Sequence, residues 1–122
     1  MNEKAVVKTD IPELSLIRRG KVRDMYDMDE RHLLIVASDR ISAFDCIMQE
    51  GIPGKGRILT QLSLFWFDFL KDVISTHLVT ADITEMGSGI AHHGECLDGR
   101  TMMVKKADVF PVECVVRGYL EG

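Results

Sequence analysis

The spacing of apolar residues between positions 14 and 37 constrains the fold of this chain more than any other feature. Apolar side chains at 14–17 precede a turn that contains Gly20, and a second apolar group at 22–26 follows it. A charged stretch at 27–31 then leads into the nearly continuous apolar run at 32–37. Short apolar segments separated by glycine or charged turns are typical of β-strands. The pattern therefore predicts three consecutive strands that form an antiparallel meander.

A helical pattern follows after a long segment without regular periodicity at 38–57. Between Ile58 and Val73, apolar side chains recur every three or four positions, which is typical of an amphipathic helix. The apolar positions include Trp66 and its aromatic neighbours. We expect this aromatic-rich face to pack on the sheet, since packing is a commoner role for such a face than ligand binding.

The last third of the chain predicts a connection and two further strands. Residues 82–99 hold four glycines and indicate a turn-rich connection. Thr101–Lys105 and Val109–Val116 are β-branched runs, the second interrupted by Pro111. We expect both runs to join the first three strands in one sheet. The predicted fold class is α+β, an antiparallel sheet with one main covering helix.

Composition limits the size, the partners and the compartment of this protein. The 122 residues allow one domain, because domains typically have about 100–150 residues. A net charge of −4 argues against a nucleic-acid-binding protein, which usually carries a basic excess. Uncharged runs are far shorter than the roughly 20 apolar residues of a membrane span, so we expect no membrane partner. The three cysteines form no disulfide or zinc pattern, and with the polar N-terminus they predict a cytoplasmic protein.

The sequence Gly20-Lys21-Val22-Arg23 lies between the first two predicted strands. Glycine lets the backbone approach a phosphate closely, and the two cations alternate with Val22, so that both project from one face of an extended chain. This arrangement suits the charged tail of a nucleotide. The alternative is a basic hairpin tip that is merely solvated.

A second polar group follows the buried strand at 32–37. Asp39, Arg40, Ser42 and Asp45 occur within seven residues, at a strand end where enzymes of mixed α and β structure often place site residues. An Asx turn around Asp39 is the alternative, but it accounts for one aspartate and not for the whole group. His92, His93 and Cys96 lack a fourth ligand at suitable spacing, so we predict no metal site there.

Three segments together carry a family resemblance. They are Gly20-Lys21-Val22-Arg23-Asp24, the stretch from Ser38 to Asp45, and Phe110-Pro111-Val112-Glu113-Cys114-Val115-Val116-Arg117-Gly118-Tyr119-Leu120-Glu121-Gly122. With them the chain resembles the phosphoribosylaminoimidazole-succinocarboxamide synthase (SAICAR synthetase) family, from about Leu16 to its last residue. The resemblance implies the N-terminal lobe of the ATP-grasp-like fold of that family.

The same resemblance implies an ATP-dependent, ADP-forming ligase of purine biosynthesis. Such an enzyme joins aspartate to carboxyaminoimidazole ribonucleotide to give SAICAR, with ATP and Mg²⁺ as cofactors. The positions that would bind ATP are Gly20, Lys21, Val22 and Arg23 at the phosphates and Lys105, Lys106, Ala107, Asp108 and Val109 at the adenine. The positions that would bind the ribonucleotide substrate are Asp39, Arg40, Ser42, Asp45 and Arg117, the last at its phosphate. Glu113 belongs to the family signature without an assigned role.

Family members are much longer than 122 residues, and this shapes the remaining expectations. We expect residues 1–122 to form a single N-terminal nucleotide-binding lobe, incomplete at its C-terminal end. The acidic residues that would hold Mg²⁺ are expected beyond residue 122, so no catalytic or metal-binding residue is assigned within this chain, and we expect no turnover from it alone. A non-catalytic nucleotide-binding or interaction fragment is the alternative function, and a kinase-like phosphotransferase lobe is a weaker one. The oligomeric state stays open.

Overall fold

The computed structural model describes residues 4–120. The strands in this range are β1 (Ser15–Arg19), β2 (Arg23–Asp27), β3 (His32–Ala37), β4 (Ser42–Ala43), β5 (Cys46–Ile47), β6 (Leu78–Thr80) and β7 (Thr101–Lys105). The helices are α1 (Lys55–Phe69), a 3-10 helix (Ile83–Glu85), α2 (Ser88–Ala91) and α3 (Gly94–Leu97). Among the described residues, no helix has the length and apolar character needed to cross a membrane.

Five of these strands form one antiparallel sheet in the order β1-β2-β3-β7-β6. The predicted meander is confirmed, because β1, β2 and β3 are neighbours in chain order, and Thr101–Lys105 joins them beside β3. β4 and β5 form a separate two-stranded hairpin. Strand β6 was not predicted, since Leu78–Thr80 is too short to show a periodicity. The fold class is α+β, as the sequence indicates.

The core lies between one face of the sheet and the segment that precedes β7. Tyr26 and Leu34 are register partners on β2 and β3 and are almost completely buried. Opposite them pack four apolar side chains from the connection at 83–97, which are Ile83, Met86, Ile90 and Leu97. Burying a side chain of this size contributes about 1.5–3 kcal/mol. The turn-rich connection is therefore the layer that covers this face of the sheet.

The predicted packing of the aromatic face of α1 on the sheet is wrong. Phe65, Trp66 and Phe69 are 56%, 49% and 66% exposed and cluster with one another at ring centroid distances of 5.2–6.0 Å. The helix instead approaches the sheet through the buried residues Gly56 and Thr60. Amphipathic spacing defines an apolar face but does not say which surface covers it.

The predicted strand at Val109–Val116 is also absent, since residues 106–120 form no helix or strand and residues 107–120 are exposed. Both edges of β7 are already paired, one with β3 and one with β6. Pro111 in addition lacks the backbone N–H that a ladder needs. The run therefore has no free strand edge beside β7 on which to add.

Candidate functional site

The turn between β1 and β2, which we call the Gly20–Val22 loop, presents unpaired backbone donors. The Gly20 N–H donates to the Arg23 carbonyl at 2.8 Å and closes the turn. A side chain at Gly20 would place its Cβ 3.2 Å from that same carbonyl oxygen, so glycine fits this close approach. Within residues 4–120, neither the Lys21 nor the Val22 N–H donates to a protein acceptor. Two adjacent N–H groups beside the cations of Lys21 and Arg23 make a potential anion-binding loop.

Arg40 lies beneath this loop and is 7% exposed. Its guanidinium donates to the carbonyls of Lys21 (Nε, 3.2 Å), Gly20 (Nη2, 3.0 Å) and Val7 (Nη1, 2.8 Å). Nη2 also donates to Asp24 Oδ1 at 2.7 Å. The sequence predicts a substrate contact for Arg40, but in the structure its guanidinium is hydrogen-bonded to groups inside the protein.

Asp24 is fully buried at the centre of the same cluster. Besides Arg40, it accepts from Arg19 Nη1 at 2.8 Å and from the Thr9 hydroxyl at 2.6 Å. Thr9 in turn lies 2.7 Å from the Tyr26 hydroxyl. A buried carboxylate with this many donors is fixed in place, so the loop rests on a rigid support.

Asp39 occupies a second buried cluster, which does not include Arg40. It is 0% exposed and accepts from Arg100 at 2.7 and 3.2 Å and from the N–H groups of Val6 and Gly56, each at 2.8 Å. Burial raises the pKa of Asp39, but the hydrogen bonds from Arg100, Val6 and Gly56 lower it by more, so the pKa lies below its usual value. Asp39 thereby attaches the first turn of α1 to the sheet, and like Arg40 it does not face solvent.

The hairpin β4–β5 brings Asp45 to the loop. The Asp45 carboxylate accepts a hydrogen bond from the Lys21 ammonium, and this ion pair lowers the pKa of Asp45. The turn residues Phe44 and Asp45 have φ angles of 51° and 62°, a left-handed conformation that costs free energy for such side chains. Ser42 lies in β4, opposite Ile47. The structure thus pairs Asp45, a predicted substrate-binding residue, with Lys21, a predicted phosphate-binding residue. An open apolar depression beside them is lined by Ala43 and Ile47, among others.

The predicted adenine segment begins where β7 ends. The N–H of Lys105 donates to the His77 carbonyl at 2.8 Å and that of Lys106 to the Arg31 carbonyl at 2.7 Å, while Lys106 Nζ lies 2.6 Å from Asp27 Oδ1. Ala107, Asp108 and Val109 follow as exposed residues. In the described part of the chain their N–H groups donate to no protein acceptor. Their backbone is therefore available to a ligand.

Arg117 and Glu113 are not brought to the other predicted residues by any contact. Both are exposed, and over residues 4–120 no hydrogen bond or ion pair joins either side chain to the protein. Nor do three His, Cys, Asp or Glu side chains converge into a potential metal site within this range. The described residues therefore do not by themselves form a protein cage for a divalent cation.

Sequence reasoning missed Asp24 as the support of the Gly20–Val22 loop and Arg100 as the partner of Asp39. A signal for Asp24 was present, since it stands two positions before the buried Tyr26 on the same strand and so shares its inward face. A carboxylate at an inward strand position needs a buried partner. Arg100 carries no comparable signal, because its partner Asp39 is 61 residues away in the chain.

Comparison with known proteins places this architecture in one family. The family model for SAICAR synthetase matches residues 16–122. The phosphoribosylaminoimidazole-succinocarboxamide synthase of Thermodesulfovibrio yellowstonii is 54% identical over 117 residues, which are 96% of this chain and 40% of that protein. The chain thus spans about two fifths of the length of the curated relatives it matches.

Solved structures agree with the sequence match. The SAICAR synthase from Saccharomyces cerevisiae complexed with SAICAR superposes with a TM-score of 0.87 and 42% identity, over 97% of this chain and 42% of that chain. A type-2 SAICAR synthetase in complex with ADP matches with a TM-score of 0.58 and 27% identity, over 77% of this chain and 34% of that chain. With the family model covering most of the sequence, the chain belongs to the SAICAR synthetase family.

Proposed function

We propose that residues 1–122 form a single N-terminal nucleotide-binding lobe of a cytoplasmic SAICAR synthetase. This enzyme would use ATP to join aspartate to carboxyaminoimidazole ribonucleotide and release SAICAR, ADP and phosphate. The observation that carries the proposal is the Gly20–Val22 loop, with the ammonium of Lys21 and two N–H groups that have no acceptor in the described part of the chain. The neighbours complexed with ADP and with SAICAR support the same ligands. The three free cysteines suit a reducing compartment.

In this proposal the loop binds the ATP phosphates. The N–H groups of Lys21 and Val22 donate to phosphate oxygens, and the Lys21 ammonium exchanges Asp45 for the phosphates. Such charge-assisted hydrogen bonds are the strong ones in anion binding. The exposed ion pair is easily exchanged, because its two side chains are 57% and 87% exposed.

The adenine would lie at the other end of the same strands. Ala37 at one end of β3 pairs with Arg23, beside the loop, while His32 at the other end pairs with Lys105. Five residue steps of about 3.3 Å separate these ends by about 16 Å, a span that suits an extended nucleotide. The backbone of Ala107–Val109 would then meet the adenine edge.

The remaining predicted residues divide into two groups by what they can reach. Ser42 and Asp45 lie on the β4–β5 hairpin and would face the ribonucleotide beside the phosphates, and the exposed Arg117 would bind its phosphate. Asp39 and Arg40 serve the substrate site indirectly, because both are engaged inside the protein. When bound, ATP would activate the substrate carboxylate by phosphorylation, and the amine of aspartate would then displace phosphate.

The test is ATP titration of the 122-residue chain and two lysine variants by calorimetry. Lys21→Ala removes a charge-assisted contact worth about 1.5–3 kcal/mol, so we expect ATP to bind roughly tenfold to hundredfold more weakly. Lys71→Ala is the matched control, since it also removes an exposed lysine paired with an aspartate, here at the far end of α1. Equal ATP affinity of all three proteins, or no ATP binding by the parent chain, would contradict the proposal.

A further inference from the structure

One guanidinium holds two consecutive carbonyls of the Gly20–Val22 loop. Arg40 Nη2 donates to the Gly20 carbonyl at 3.0 Å and Nε to the Lys21 carbonyl at 3.2 Å. Both acceptors belong to a turn in which Gly20 and Val22 are half-buried and Lys21 is exposed, whereas the donor is buried. The two peptide planes on either side of Lys21 are thus fixed from inside the protein.

This contact determines where the neighbouring N–H groups point. In a trans peptide the C=O and N–H bonds point in opposite directions, and the described residues contain no cis peptide. When the Gly20 carbonyl points inward to Arg40, the Lys21 N–H points outward. The inward Lys21 carbonyl likewise turns the Val22 N–H outward. These are the same two N–H groups that find no protein acceptor among residues 4–120.

Arg40 is itself prevented from turning. Four of its five N–H groups are engaged, two at the loop, one at the Val7 carbonyl and one at Asp24. Asp24 is anchored in turn by Arg19 and Thr9. A planar guanidinium with contacts in several directions has one orientation, which a lysine ammonium at the same position does not reproduce.

We propose that Arg40, held by Asp24, is a positioning residue that aims the Lys21 and Val22 N–H groups at the phosphates of the nucleotide. Arg40 acts through the loop and does not touch the nucleotide. The inference rests on the proposed function, because it requires that the loop binds phosphate. It goes further in assigning the preorganisation of the loop to one buried side chain.

The test uses ATP and inorganic triphosphate as ligands, because triphosphate reports the phosphate site without the adenine. We expect Arg40→Lys to weaken the binding of both ligands by a similar factor, about tenfold, the loss expected for misdirected hydrogen bonds to a charged group. Arg100→Lys is the matched control, since Arg100 also pairs with a buried aspartate and donates to a backbone carbonyl, but to that of Ala37 and not to a carbonyl of the loop. We expect Arg100→Lys to lower the stability and to leave the affinity of the folded fraction for both ligands unchanged.

The outcomes separate this inference from the proposed function. Parental affinity in Arg40→Lys, together with weakened binding in Lys21→Ala, would overturn the positioning role and leave the loop as the phosphate site. Equal weakening in Arg40→Lys and Arg100→Lys would also overturn it, since the effect would then be general loosening. If Arg40→Lys does not fold, Asp24→Asn replaces it. We then expect the affinity for both ligands to fall threefold or more, and parental affinity would overturn the inference. Lys21→Ala with unchanged affinity would instead contradict the proposed function itself.

Discussion

Two buried arginine–aspartate pairs each include one residue of the segment that follows β3, and they serve different ends. Asp39 and Arg40 are adjacent in the chain, yet Asp39 pairs with Arg100 and Arg40 pairs with Asp24. The first pair binds parts of the framework to one another, namely the start of α1, the N-terminal segment at Val6 and the end of β3. The second pair holds an exposed loop by its carbonyls. The same chemistry therefore assembles the fold in one place and preorganises a binding loop in the other.

The difference lies in the backbone groups that each arginine binds. Ala37, the backbone partner of Arg100, is a buried strand residue. The partners of Arg40 include the carbonyls of Gly20 and Lys21. The N–H groups of the same two peptides belong to Lys21 and Val22, and among residues 4–120 they find no protein acceptor. A buried ion pair thus contributes to ligand binding when its arginine holds a backbone segment that also contacts solvent. Breaking the first pair should change stability, and breaking the second should change affinity.

The largest effect is expected from Asp39→Ala. This change leaves the Arg100 guanidinium buried without its carboxylate and two backbone N–H groups without an acceptor. Removing one partner of a buried ion pair typically costs about 3–5 kcal/mol, so we expect a loss of that size in the free energy of unfolding. Urea denaturation followed by circular dichroism measures it.

Asp68→Ala provides the control for this measurement. Asp68 pairs with Lys71 on the surface of the molecule, where both side chains are exposed. Exposed pairs contribute about 0–1 kcal/mol, so a small loss is expected. Similar losses in Asp39→Ala and Asp68→Ala would show that the Asp39–Arg100 pair does not hold the framework together.

A smaller and graded effect is expected from acid. Burial raises the pKa of Asp39, but its hydrogen bonds lower the pKa by more, so the folded value lies below that of the unfolded chain, about 3.9. A lowered pKa stabilises the folded state above that value, and this contribution is lost as the pH falls through the folded pKa. We therefore expect the stability difference between the parent chain and Asp39→Asn to be constant near neutral pH and to shrink below about pH 4.

Urea titrations at a series of pH values measure this difference. The comparison with Asp39→Asn is needed because Glu13, Asp29, Asp45 and Asp82 also have lowered pKa values, so acid destabilises the parent chain through several groups. A difference that stays constant down to pH 2 would show that the ionisation of Asp39 does not contribute to the stability.

The sequence predicted the parts of the fold that depend on neighbouring residues. The meander of β1, β2 and β3 follows from local alternation and turn residues, and Thr101–Lys105 is apolar enough to be identified as a strand. The surface that covers the sheet was not predictable in this way. The single-turn helices of residues 88–97 are too short to show a period, and the stronger pattern of α1 turned out to face outward at Trp66.

The site shows the same division. The Gly20–Val22 loop is visible as a glycine between cations, because its geometry is local. The direction of Asp39 and Arg40 was not visible, because both lie beyond the end of β3 and their partners lie elsewhere in the chain. Whether a polar side chain faces a ligand or the interior depends on those distant partners. Those partners can be identified only from the folded structure.

The most direct test of the account follows the backbone amides of the Gly20–Val22 loop during an ATP titration. In two-dimensional ¹H–¹⁵N spectra of the labelled 122-residue chain, we predict saturable shifts of the Lys21 and Val22 amide signals, because both N–H groups gain a charged acceptor. The Arg100 amide, whose N–H already donates to the Leu97 carbonyl, should shift little. Saturable shifts confined to other segments, with the Lys21 and Val22 signals unmoved, would contradict the claim that this loop binds the phosphates.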